Sequence, residues 1–400
     1  MTPDGWELKK GDTLFKLGGG HAPRDIEFDD SGDTLFLKVD DFNAPSNQNG
    51  ITSSNLRFFA DDQSITVRIY DPGTLVFPKR GAAIFKNRVQ ALTRPATVDS
   101  NLMCLAATNV DAKFFRHHLL FCGIHEIADT SSVPQINNKH LYPRAFVVPP
   151  IAEQRKIAAV LGSVDEAIGA TRAVIEQTRR VKQGLLQQLL TRGIGHTRFK
   201  QTEIGEIPEA WEVVTTGHIC RSIVPGRNKP KVFDGNIPWI TIPDISGLYI
   251  GSSKKCLAVT REEIKRANGK TIPAGTVVMT CVGKFGISTI AECEVVINQQ
   301  LHGFVCGDRI DPLFLCFVLQ TKEREMLSMA GQTTIPYLNR GKCESIAVPL
   351  PRLDEQKAIA GKVRSVVNAE IESQKLLDLA FAVKRGLMQD LLTGRVRVGV

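Results

Sequence analysis

The feature that most constrains this chain is that its sequence is written twice. Residues 151–192 align without gaps on 353–394 with fifteen identities in 42 positions, among them Glu153/Glu355, Gln154/Gln356, Lys182/Lys384 and Thr191/Thr393. Chance would give only about two or three. Weaker matches at offsets of 202 to 205 extend the correspondence over the whole chain. Pro3-Asp4-Gly5-Trp6-Glu7-Leu8 lies on Pro208-Glu209-Ala210-Trp211-Glu212-Val213, LFLKVDDF (35–42) on PWITIPDI (238–245), and SSVPQIN (131–137) on TTIPYLN (333–339). A fold for 400 residues therefore reduces to a fold for about half of them, used twice.

Each copy has two parts. The first (1–148 and 208–348) is rich in short β-branched and aromatic runs such as ITVRIY (65–70), VVMT (277–280) and FGISTIA (285–291), broken by turn signals at Asn49-Gly50 and Asp234-Gly235. Helical patches sit late, at 111–123 and 311–327. This pattern predicts an α+β domain with a strongly bent sheet.

The second part reads as one long helix. After Pro149-Pro150, and again after Pro349 and Pro351, about 40 residues run without proline, with Glu153 or Asp354 and Glu355 at the positive N-terminal end. Apolar residues step by fours and threes through Ile157, Leu161, Val164, Ile168, Ile175, Val181, Leu185 and Leu189. In the copy they are Ile359, Val363, Val366, Leu377, Val383, Leu387 and Leu391. This spacing is that of a coiled-coil seam, interrupted by Thr171, Thr178, Glu370 and Ser373. Gly193 and Gly394 are the expected stops. A 40-residue helix is about 60 Å long, too long to bury its stripe in its own domain, and short linkers favour antiparallel pairing of the two helices into a rod with a globular domain at each end. The expected organisation is domain one at 1–150, central helix at 151–192, linker at 193–210, domain two at 211–350 and C-terminal helix at 351–394. Two independent amphipathic helices, each lying on its own domain, are the competing arrangement.

Catalytic constellations are missing. Gly283-Lys284 lacks the upstream glycine of a phosphate loop, Gly18-Gly19-Gly20 reads as a flexible turn, and no HExxH, GxSxG or (N/D)PP(Y/F) tetrapeptide occurs. His117-His118 reads as a satisfied or exposed pair, and Asp40-Asp41 has only Asp244 in the copy. Nine unpatterned cysteines indicate reduced thiols in place of disulfides or a zinc site. No apolar run reaches the roughly 20 residues of a membrane span, and no signal-peptide core follows the N-terminus. The expectation is an intracellular, cytoplasmic protein without membrane contact.

Charge is localised. The chain holds 50 Lys and Arg against 42 Asp and Glu, for a net +8, and each half contributes +4. Residues 68–94 carry six bases and one acid; residues 221–284 carry eleven bases and four acids. One basic cluster in the globular part of each copy favours a nucleic-acid partner.

The stretches PPIAEQRKIAAVLGSVDEAI (149–168) and PRLDEQKAIAGKV (351–363) resemble the P-L-x-E-Q-x-x-I-A signature of Type I restriction-modification specificity (S) subunits. FKQTEIGEIPEAWEV (199–213) and KQGLLQQLLTRGI (182–194) are similar to further segments of that family. The resemblance spans nearly all of the chain. It implies that each globular part is a target recognition domain reading one half of a bipartite site on double-stranded DNA. The paired helices would then set the gap and dock two methyltransferase (M) subunits. It further implies that S-adenosylmethionine belongs to those partners, ATP and Mg to the motor-nuclease (R) subunits, and no cofactor, metal or catalysis to this chain. The first repeat opens at Thr2-Pro3-Asp4-Gly5-Trp6 with no counterpart of FKQTEIGEI (199–207), which leaves either a shorter entry strand or a displaced start.

Recognition domains vary within the family, so contact residues rest on local chemistry. In copy two they are Arg227, Asn228, Lys229 and Lys231 of the loop GRNKPK (226–231), Lys284, Tyr337, Asn339 and Arg340. In copy one they are Lys79, Arg80, Lys86, Arg88, Gln135 and Asn137. Tyr337 reads equally well as core. Two other functions compete: a coiled-coil scaffold without a DNA-reading role, and a fragment of a fused enzyme, which would need a cofactor motif.

Overall fold

The computed structural model describes residues 2–62, 67–226, 228–331 and 334–399. The chain packs as two compact units, Met1–Ile175 together with Ser373–Val400, and Glu176–Glu372. Both long helices are divided between them.

The first unit runs β1 (Glu7–Lys10), α1 (Gly11–Leu14), β2 (Phe15–Gly19), β3 (Thr34–Leu37), β4 (Leu56–Phe58), β5 (Leu75–Pro78), β6 (Gln90–Ala91), β7 (Ala96–Val98) and β8 (Leu102–Ala107). It continues through α2 (Ala112–Cys122), α3 (Asn138–Leu141) and β9 (Ala145–Val148) into the long helix α4 (Ile151–Arg192). Three small sheets form, with orders β1-β9, β2-β8-β5-β6 and β4-β3-β7, where sequence patterning suggested one bent sheet. The β3–β7 pair is parallel. ITVRIY (65–70) is not the strand its composition suggests: residues 65 and 66 lie outside the described residues, 67–69 are not in a strand, and Tyr70 makes an isolated bridge to Ala96.

The second unit opens with a hairpin of β10 (Phe199–Thr202) and β11 (Gly205–Pro208), so the stretch 193–210 is more than a connection. It continues through β12 (Glu212–Thr215), α5 (Thr216–Ile219), β13 (Cys220–Ile223), β14 (Ile237–Ile240), β15 (Tyr249–Ile250), β16 (Ala258–Val259), α6 (Arg261–Arg266) and β17 (Thr271–Ile272). Then come β18 (Val277–Thr280), β19 (Ser288–Ala291), β20 (Val295–Ile297), β21 (Leu301–Cys306), α7 (Pro312–Thr321), α8 (Glu323–Ala330), α9 (Arg340–Glu344) and β22 (Ala347–Leu350), and the long helix α10 (Leu353–Leu392). The sheet orders β12-β22, β13-β21-β18-β19-β15 and β16-β14-β20-β17 repeat those of the first unit with an added edge strand on each large sheet. The entry strands β1 and β12 are both four residues long, so the entry strand is not shortened.

The helices begin after prolines and end at glycines that a left-handed backbone requires: Gly193 has φ 64° and Gly394 φ 70°. Their faces serve two purposes. Ile157 and Leu161 enter the core of the first unit with Phe114, Phe115 and Phe146, joined there by Leu391 and half-buried Leu387 from α10. Ile359 and Val363 do the same in the second unit with Trp211, Phe314 and Phe317, joined by Leu189 and half-buried Leu185. Between these ends, Ile168 and Ile175 pack on Leu377 within the first unit, with Val164, Ala380 and Phe381 at the margins. The two helices run antiparallel in both units, as the short linkers favour; Val366 is half-buried.

Val181 and Val383 depart from the expected seam, being 43% and 47% exposed. The next residue takes each place. Lys182 donates to Glu370 at 2.6 Å, and Lys384 donates to Asp165 at 2.5 Å. Burial alone would raise the Glu370 carboxyl, but the hydrogen bonds from Lys182 and Arg179 outweigh it and hold the group below the ordinary range.

The repeated Glu-Gln pair joins each helix to its globular part. Glu153, buried at the start of α4, accepts the indole N–H of Trp6 at 3.2 Å and two bonds from Arg397 at 2.8 Å each. The Arg397 bonds hold its carboxyl below the ordinary range. In the second unit Glu355 accepts from the indole of Trp211 at 3.1 Å and from the backbone of Ile194 at 3.0 Å. The adjacent glutamines, Gln154 and Gln356, are 3% and 0% exposed. Each donates to a proline carbonyl, Pro149 or Pro351, at 2.8 Å and accepts the backbone N–H of the residue that caps the following helix, Asp111 or Asp311, at 2.8 Å. The globular part of each unit is thereby fixed to its long helix through the cap of α2 or α7.

Candidate nucleic-acid interface

In each unit three loops converge at one end of the β2-β8-β5 sheet or its copy. The first unit leaves β5 at Pro78 and passes through Lys79, Arg80 and Gly81, whose φ of 72° is a conformation L side chains avoid. The segment 129–137 runs alongside. Arg80 faces Gln135 in an antiparallel bridge, flanked by bonds from Gly81 N–H to the Pro134 carbonyl at 2.8 Å and from Ile136 N–H to the Lys79 carbonyl at 2.9 Å. The third loop follows β2. Here the Tyr70 hydroxyl donates to the Gly19 carbonyl at 2.7 Å, and a Cβ on Gly18 would fall 2.1 Å from that oxygen. Gly18 and Gly19 are thus strand residues and not a flexible turn, and Gly18 must be small for Tyr70 to cross it.

Lys79 is half-buried, and desolvation, reinforced by the neighbouring Arg80 charge, pulls its ammonium below its ordinary range. Arg80 and Lys86 are exposed. Arg88 departs from the expected open surface: it donates to the Phe42 carbonyl at 2.5 Å and to Asn43 at 2.8 Å, bracing the interior of the loop. Asn137 donates to the Gln135 side chain at 3.3 Å. Arg68, exposed and 5.0 Å over the Tyr70 ring, belongs to the same cluster and was not among the expected contacts. Its signal was the glycine run that admits Tyr70.

The second unit repeats the geometry at an offset of 202. Val282 faces Tyr337; Gly283 N–H donates to the Pro336 carbonyl at 2.9 Å and Leu338 N–H to the Cys281 carbonyl at 2.8 Å. Lys284 is exposed, between Gly283 at φ 79° and Gly286 at φ 72°, with its carbonyl held by the Thr280 hydroxyl at 2.7 Å. Tyr337 is 52% exposed and therefore not core. Asn339 caps α9 by accepting the Lys342 N–H at 2.9 Å, and Arg340 on that helix reaches Glu344 at 2.8 Å while staying exposed. The loop 226–231 joins this site through one turn: Gln299 donates to the Gly226 carbonyl at 2.8 Å, and the carbonyl of Gln300 accepts the Cys281 N–H at 2.9 Å. Asn228, Lys229 and Lys231 on that loop are exposed, and Arg227 lies outside the described residues. The Lys231 backbone is pinned by Glu263 at 2.6 Å.

His117 and His118 are both buried, and the Nδ1 of each has no hydrogen-bond partner among the described residues. The pair is thus not exposed, and of the two rings His118 has a partner at Nε2, the Cys122 Sγ at 3.6 Å. Among the described residues no three His, Cys, Asp or Glu side chains are grouped to hold a metal, all nine cysteines are free, and no helix is long and apolar enough to cross a membrane.

Residues 208–379 match the family model described as the Type I restriction modification DNA specificity domain. Among curated proteins, the chain is similar to the Type I restriction enzyme MjaVIII specificity subunit of Methanocaldococcus jannaschii, 28% identical over 286 residues. That alignment covers 67% of this chain and 66% of the relative. The putative MjaX specificity subunit of the same organism is 29% identical over 273 residues, covering 67% and 62%. The chain thus spans just under two thirds of the length of these relatives. Among solved structures, the S subunit of a Type I restriction-modification system from M. genitalium superposes with a TM-score of 0.62 at 16% identity, covering 98% of this chain and 99% of that one, a likeness of fold. Residues 208–379 thus carry a Type I specificity domain, and the curated relatives support reading the chain as a specificity subunit.

Proposed function

We propose that this chain is the DNA-reading, non-catalytic subunit of a Type I restriction-modification complex, each unit reading one half of a bipartite duplex site. The observation that carries this reading is the recurrence of one loop arrangement in both units. Lys79 and Arg80 lie against Gln135 beside Asn137, with exposed Lys86 further along the same loop, and Lys284 and Arg340 lie near Tyr337, with Asn228, Lys229 and Lys231 on an adjoining loop. Cations supply phosphate affinity and register, while amide, phenol and guanidinium groups supply choice among base edges. The paired helices serve as spacer and as the docking surface for two methyltransferase subunits. Those subunits bind S-adenosylmethionine; motor-nuclease subunits use ATP and Mg.

The test is co-expression with the methyltransferase, followed by titration of duplex binding against salt. A stable complex whose affinity falls steeply between about 50 and 200 mM salt is expected. A complex without duplex affinity would favour a scaffold.

A further inference from the structure

Among the described residues, the most exposed large hydrophobic side chains of the two units stand at equivalent positions: Val133 is 65% exposed and Ile335 63%. They are 202 residues apart, each just before a proline whose carbonyl accepts a glycine N–H, Pro134 from Gly81 and Pro336 from Gly283. A single exposed aliphatic residue needs no explanation. Two at the same loop tip in diverged copies, each held by the same backbone bond to the cation-bearing loop, do need one. The bond holds the tip against that loop, so ordering it costs little further entropy on binding.

We propose that Val133 and Ile335 are specificity-determining contacts that read thymine C5-methyl groups in the major groove. This deepens the DNA-reading assignment above and rests on it. The surroundings select the partner. Arg80 faces Gln135, two residues on from Val133, and exposed Lys284 follows the glycine bonded to Pro336 beside Ile335, with exposed Arg340 five residues on, so an anionic ligand is drawn to the surface around an apolar point. In duplex DNA the thymine methyl is the apolar group presented at the base edges. An apolar partner protein would gain nothing from the cations, and a bare phosphate nothing from the aliphatic tips.

The test uses the full chain in complex with its methyltransferase and a duplex carrying the site found by adenine-methylation mapping. Each thymine is replaced in turn by uracil, which deletes only the methyl. Wild-type affinity should fall about fourfold at one thymine or more in each half, the factor that burying one such group confers. That penalty should vanish in Val133→Ala for one half and in Ile335→Ala for the other; both residues are exposed, so folding is unaffected. A flat uracil scan, or a penalty that persists in the variants, overturns the proposal. So does loss of methyltransferase co-purification in Val133→Ser, which would make the tip a protein contact. If Lys284→Gln still weakens duplex binding in those cases, the DNA-reading assignment survives while the methyl contact falls; a wild-type complex that binds no duplex removes both.

Discussion

The side-chain oxygen of Gln154 accepts the backbone N–H of Asp111 at 2.8 Å, and Gln356 makes the same bond to Asp311 at the same distance. Each glutamine is buried in the first turn of a long helix, and each aspartate caps the helix that packs beneath the sheet, α2 or α7. The Glu-Gln signature is therefore a mechanical joint. Replacing Gln154 by Ala leaves a donor and an acceptor without partners in a site that water enters poorly, at about 1–3 kcal/mol. Hydrogen exchange should show the Asp111 amide losing protection in that variant and the Asp311 amide losing it in Gln356→Ala. Unchanged protection at both amides would mean that the joint lies elsewhere.

Stability should fall on mild acidification, before carboxylates titrate. Burial pushes the imidazoles of His118 and His302 down to about 4, the Arg144 charge adding to this at His118. Unfolding restores an ordinary value near 6.5, so between those values the unfolded chain binds more protons and stability rises with pH. From pH 6.5 down to 5 the loss should reach about 1–2 kcal/mol per histidine. It should be read as a fall in the urea midpoint that His302→Asn makes shallower. A midpoint constant over that range would contradict neutral burial of these rings.

Deleting seven residues from each long helix, 169–175 and 373–379, removes about 10 Å of rise from each. If the helices set the spacing of the half-sites, the preferred gap should shorten by about three base pairs at 3.4 Å each. Methylation mapping reads the gap directly, and an unchanged gap would remove the spacer role.

Much of this was legible in the sequence because duplication and helical spacing are local or periodic signals. The alternation of fours and threes places Ile157, Leu161, Ile168 and Leu189 on the buried face. It fails at Val181 and Val383 because the seam there is ionic: Lys182 and Lys384 find carboxylates nearly 190 and 220 residues away, which no window along the chain can show. The same limit hid the purpose of Gly18, whose missing side chain makes room for Tyr70, and the commitment of Arg88 to Phe42 and Asn43. Lysine and arginine counts identified the basic segments. Only the fold shows that 79–86, 131–137 and the loop after β2 meet at one place, and that Tyr337 is on the surface and not in the core.

The most direct test of the account is a genome-wide map of methylated adenines in cells carrying the methyltransferase with this chain, with Lys79→Gln/Arg80→Gln, or with Lys284→Gln/Arg340→Gln. The account predicts a two-part motif in which the first pair of substitutions alters or relaxes one half and the second pair alters the other. A single uninterrupted motif, or loss of both halves from either pair in a chain that remains folded, would contradict it.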